Sequence, residues 1–163
     1  MPGPPLAALY DYVLGLHIMA VVVAFGWAFA LPVVYTVAAR QDPRSLPTLH
    51  RIEIAISRLI LNPALVIVLV AGIFLASDGH HWSEFFVQWG LTAAIVIGAV
   101  VGAVMIPTAK RAEEVVARDL AAAGEGPFEP SAEYRALAGR LNLFGAGLGV
   151  LVLLTILFMA IKP

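Results

Sequence analysis

The sequence predicts an all-α fold, an integral membrane four-helix bundle with both termini on the outer side. Three observations carry this. Apolar residues make up 61% of the 163-residue chain and charged residues 13%, against roughly half and a quarter in soluble domains. Four stretches are long enough to cross a bilayer, which takes about 20 apolar residues. The basic residues gather beside two of the three connections, as the positive-inside rule expects of loops facing the cytoplasm.

The first span covers 6–39, and between Tyr12 and Arg40 nothing in it but His17 is ionisable at ordinary pH. The second covers 46–77; it opens amphipathically as HRIEIAISRLI and then becomes purely apolar. The third covers 82–107 and continues as a charged helix, AKRAEEVVARDLAAA, to residue 123. The fourth covers 132–162, after the breaker GEGPFEPS. Arg40, Arg44, Arg51 and Arg58 flank the first connection, and Lys110, Arg111, Arg118, Arg135 and Arg140 the third. The second connection, Asp78-Gly79-His80-His81, has neither Lys nor Arg. Both termini and this short loop are therefore placed outside. Pro32, Pro63 and Pro107 lie within or at the ends of spans, where neighbouring groups can satisfy the carbonyls they free. Gly98/Gly102 and Gly145/Gly149, with Gly147 between, read first as helix contacts of the small-xxx-small kind.

Composition also excludes. A net charge of −1 predicts no nucleic-acid partner, and the lipid bilayer is the expected surrounding. The absence of cysteine removes disulfides, thiolate metal sites, iron–sulfur clusters and covalent haem attachment. The amino terminus MPGPP lacks the basic segment of a cleavable signal, so the first span is expected to remain as an anchor. There is no nucleophile–base arrangement, phosphate loop or dinucleotide fingerprint.

His17 is the main functional candidate, because a polar imidazole in hydrocarbon is costly without a partner. It can bond a neighbouring carbonyl structurally, or ligate a metal through one nitrogen while an acceptor holds the other. Counting helical rise from the outer side places 66–70, 88–92 and 151–155 at its depth, which makes Gln88, Thr92 and Thr155 possible polar neighbours. His80 and His81 face outward in the second connection and offer copper or zinc ligands, although adjacent histidines in an extended loop point apart. Arg58 can snorkel to headgroups or bind an acidic ligand group. With Tyr35, Asn62 and Asn142 it forms an expected polar cluster near the inner leaflet.

The motifs Leu16-His17-Ile18, Phe25-Gly26 and Leu31-Pro32-Val33-Val34-Tyr35 resemble the first span of HemJ-type protoporphyrinogen oxidases. Ser57-Arg58-Leu59, Pro63 and Gly72-Ile73-Phe74-Leu75 resemble their second. The third-span ending Met105-Ile106-Pro107 before Lys110-Arg111, and the terminal Met159-Ala160-Ile161-Lys162-Pro163, resemble more closely the small bacterial membrane proteins of domain of unknown function 2269, grouped with the copper-resistance D membrane proteins. The resemblance implies a multi-pass protein of the bacterial inner membrane that binds haem b through His17, for redox or haem handling. Arg58, Gln88, Thr92 and Thr155 would then surround the cofactor. The HemJ-like enzymes also carry a third-span lysine; this chain has none between Trp82 and Ala109, so the oxidase reaction does not carry over. Two other classes stand beside haem binding. One is a non-catalytic subunit of a larger membrane complex or homo-oligomer. The other is copper handling by His17 with His80 or His81.

Overall fold

The computed structural model describes residues 5–163, with side chains from Leu9 onward. Among these residues all regular structure is helical: α1 (Pro5–Gln41), α2 (Leu46–Ile56), α3 (Asn62–Asp78), α4 (Phe85–Val100), α5 (Ile106–Ala123) and α6 (Ala132–Ile161). A π-helical turn, Ser57–Leu61, joins α2 to α3, and another, Val101–Met105, joins α4 to α5. Four continuous rods result, each long and apolar enough to cross a membrane. The chain is a multi-pass four-helix bundle.

The π turns have a sequence cause. Each ends just before Asn62-Pro63 or Ile106-Pro107. A proline inside a helix lacks an N–H and its ring collides with the carbonyl four residues back. Widening the preceding turn relieves that collision without ending the rod. Pro32 lies inside α1, where the Thr36 hydroxyl donates to its carbonyl at 2.7 Å.

Small residues set the closest seam. On α3, Ala64, Val68, Ala71 and Leu75 are buried at helical spacing, and Ala20 and Ala24 on α1 are buried with them. The α1–α3 pair is the most extensively packed in the bundle and the α1–α6 pair the sparsest between neighbouring rods. Large apolar side chains such as Val22, Leu59 and Leu143 remain exposed, the pattern of a surface covered by lipid. Such a bundle coheres by close packing and polar contacts between helices.

The basic end carries a small core of its own. Leu46 from α2, Ala112, Val115 and Val116 from α5, and Tyr134 and Leu141 from α6 pack together there. Gly124 stops α5 at a positive φ of 57°, a conformation glycine adopts without steric cost. Ser131 caps α6 by accepting from the Tyr134 N–H at 3.2 Å. The Ser131 N–H in turn donates to Asp119 Oδ2 at 3.2 Å. Asp119 lies on the polar extension beyond the apolar part of its rod. Hydrogen bonding from Ser131, and then the Arg118 guanidinium, hold its carboxyl below the usual carboxylate range.

Candidate functional site

All four rods line a cavity of about 410 Å³ that reaches from Ala24 and Val152 down to the basic end. Its walls are mostly apolar, with Phe25, Phe29, Leu65, Ile97, Met105 and Leu148 among them. Gly145 and Gly149 also border it. A methyl group at Gly149 would come no nearer than 3.8 Å to Phe29, and one at Gly145 no nearer than 4.0 Å to Met105. Both are ordinary van der Waals distances, so neither position requires glycine for a forced close approach. Gly102 and Gly147 have nothing within 4 Å of an added methyl. Phe29, Pro32 and Thr36, which border the cavity from α1, keep exposed surface beside the sparsely packed α1–α6 pair.

The floor of the cavity is polar. Tyr35 on α1 donates its hydroxyl proton to Glu53 Oε2 on α2 at 2.5 Å. A hydroxyl has one proton to give, so its oxygen accepts from His50 Nδ1–H at 2.9 Å. His50 Nε2 lies in turn 3.1 Å from the Tyr134 hydroxyl on α6. The result is one hydrogen-bonded chain of Tyr134, His50, Tyr35 and Glu53. His50 is 1% exposed and the Glu53 side chain 12%. Glu53 also borders the cavity, and among the described residues its second carboxylate oxygen has no protein partner. Asn62 and Asn142 border the same space. Chemically, the floor can accept a hydrogen bond or proton at Glu53 and both give and accept hydrogen bonds at the two amides.

The inner-leaflet cluster expected from sequence thus assembles only in part. Tyr35, Asn62 and Asn142 meet the cavity, but Arg58 does not. It lines a separate surface groove with Arg51, Leu59, Lys110, Glu113 and Glu114. The Ser57–Leu61 π turn breaks the four-residue register that would stack Arg58 beneath Asn62.

His17 meets α3 at the expected depth: Nδ1 lies 3.0 Å from the Val68 carbonyl oxygen. A carbonyl only accepts, so Nδ1 carries the proton and Nε2 keeps its lone pair. Gly72 makes room for the ring; a methyl there would stand 3.3 Å from His17 Cε1. The ring is half-buried, and among the described residues its Nε2 has no hydrogen-bond partner. It does not border the cavity, whose nearest α1 residue, Ala24, is roughly 10 Å further along the helix axis.

The other outer-half residues do not gather around His17. Gln88 is exposed and donates to the Trp82 carbonyl at 3.2 Å. Thr92 is exposed and donates to the Gln88 carbonyl at 2.8 Å. Thr155 accepts from Trp89 Nε1 at 3.1 Å, tying α4 to α6. These side chains serve their own helix or the α4–α6 seam. His80 Nδ1 donates to the Asp78 carbonyl at 3.1 Å, and His81 packs beside Phe86. Gly72, against which the His17 ring lies, is about 9 Å along α3 from the Asp78 end, where the loop histidines begin. Among the described residues no cluster of three or more His, Asp or Glu side chains could hold a metal ion.

Compared with family models, with curated proteins and with solved structures, the chain matches none. His50 and Glu53 are not among the residues singled out from sequence. The available signal is the run His50, Glu53 and Ser57 at helical spacing, which puts polar groups on one face, about a third of a turn from Arg51 and Arg58.

Proposed function

We propose that this membrane protein binds a lipid-soluble molecule with a hydrogen-bonding head in its interior cavity. The observation that carries the reading is a mostly apolar chamber between the four rods, floored by the Tyr134–His50–Tyr35–Glu53 chain and bordered by exposed residues beside the α1–α6 pair. Apolar walls supplemented by a few polar groups are the usual build of a small-molecule site. In this reading Glu53 accepts from a hydroxyl on the ligand head, the Asn62 and Asn142 amides orient the head, and the apolar remainder leaves between α1 and α6. The hydrogen-bond chain behind Glu53 fixes its carboxylate and offers a path for a proton toward the basic end. The test is mass spectrometry of the organic extract of protein purified in mild detergent. A single lipid-soluble species enriched with the protein, and lost on Gly149→Leu, is expected.

A second reading is haem b held by His17. One observation favours it: the Val68 carbonyl fixes the Nδ1–H tautomer and leaves Nε2 available, the arrangement in which a backbone acceptor supports a metal-ligating imidazole. The donor set fits one axial bond. His50, the histidine bordering the cavity, is engaged at both nitrogens. Haem would supply one-electron chemistry, and His17 and Val68 would anchor it. A Soret band that disappears in His17→Ala supports this reading; colourless protein from haem-replete cells contradicts it.

A further inference from the structure

The groove beside Arg58 holds more cation than its own carboxylates neutralise. It lies between α2, the π turn and α5, and Arg51, Arg58, Lys110, Glu113 and Glu114 border it. Arg51 Nε bonds Glu113 Oε1 at 2.8 Å. Arg111, from outside the groove, approaches Glu114 at 3.5 Å. Both acidic groups are thereby taken. Arg58 and Lys110 have no ion-pair partner among the described residues, which leaves two unneutralised positive charges bordering the groove.

Their level is as telling as their charge. Arg58 is the last charged residue before the apolar run of the second rod, and Lys110 is the first after that of the third. Both therefore stand where hydrocarbon meets headgroups. Ile54 and Leu59 add apolar surface to the same groove, and Leu59 is 77% exposed. A basic recess between rods at this level, continuous with an apolar strip, suits an acidic head attached to acyl chains.

We propose that Arg58 and Lys110 together bind the phosphate of an anionic phospholipid, with an acyl chain lying on Leu59. Arg58 supplies a planar fork to two phosphate oxygens and Lys110 a point charge. The Arg51–Glu113 and Arg111–Glu114 pairs keep the acidic groups from repelling the head. The site is independent of the interior cavity.

The test uses the full-length protein in detergent, titrated with phosphatidylglycerol, phosphatidylcholine or inorganic phosphate and read by native mass spectrometry. Phosphatidylglycerol is expected to bind at least fivefold more tightly than phosphatidylcholine. Arg58→Gln with Lys110→Gln is expected to remove that preference, whereas Arg135→Gln with Arg140→Gln retains it. Arg58→Lys guards against a folding defect in the double variant, and is expected to keep part of the preference. Equal binding of the two lipids, or a preference that survives loss of both cations, overturns the proposal. Displacement of phosphatidylglycerol by equimolar inorganic phosphate also overturns it, since the site would then read a free anion and not a lipid.

Discussion

The Tyr35 hydroxyl and the Glu53 carboxylate are joined at 2.5 Å across the first two rods. The bond is charge-assisted, and such bonds are roughly twice as strong as neutral ones. Because the same tyrosine oxygen accepts from His50, loss of this one hydroxyl removes a hydrogen-bond partner from both side chains and leaves between them only their 3.4 Å approach to each other. Tyr35→Phe is therefore expected to destabilise the bundle by about 1–3 kcal/mol. Thermal unfolding in detergent checks this. Adding Glu53→Gln should restore part of the loss, giving an interaction energy of about 0.5–3 kcal/mol in the double-mutant cycle. Strict additivity would show that the two groups do not interact.

Gly72 is expected to act through His17. A methyl at position 72 stands 3.3 Å from Cε1, so the ring must shift away from Val68. Gly72→Ala should lower stability by about 1 kcal/mol, the order of one hydrogen bond. In a His17→Ala background the same substitution should cost little. Equal costs in both backgrounds would place the effect in the α3 backbone alone.

Trp27 presents the opposite case. Its indole N–H is buried and has no partner among the described residues. An unpaired buried donor costs about 1–3 kcal/mol. Trp27→Phe removes that donor while keeping an aromatic ring, so the melting temperature should hold or rise despite the smaller volume. A large drop in melting temperature would mean that the nitrogen is satisfied in the membrane.

Asp119 makes the α5–α6 connection sensitive to acid. Its carboxyl titrates below the usual carboxylate range because Ser131 and Arg118 favour the charged form. A depressed folded-state pKa contributes stability above the unfolded-state value, and that contribution is lost as pH falls through the folded-state value. Asp119→Asn should thus be less stable than the parent at neutral pH, and the gap should close only under strongly acidic conditions. Hydrogen exchange at residues 124–131 across a pH series reads this directly. A gap independent of pH would contradict it.

Much of this was legible from residue order. Hydrophobic length located four rods, because a bilayer imposes a minimum apolar run. Depth counting placed Val68 opposite His17, since helical rise is nearly constant. Rotation about each helix axis was not legible. Gln88 and Thr92 are counted to the layer of His17, yet the apolar residues around them occur on every face and give no stripe from which to read orientation. The π turns add a residue to the register and swing Arg58 away from Asn62. Glycine spacing was informative in part. A methyl at Gly98, Gly145 or Gly149 would stand at ordinary contact distance from Leu65, Met105 or Phe29 on another rod, Gly102 and Gly147 meet nothing within 4 Å, and Gly90, outside both motifs, accommodates the end of Met159.

The decisive comparison is between the parent protein and Gly149→Leu, purified identically in mild detergent and weighed intact by native mass spectrometry. The account predicts a non-covalent, lipid-soluble adduct on the parent that is absent from the variant, with the two melting temperatures close together. A parent that carries no such adduct, or a variant that retains it undiminished, contradicts the account.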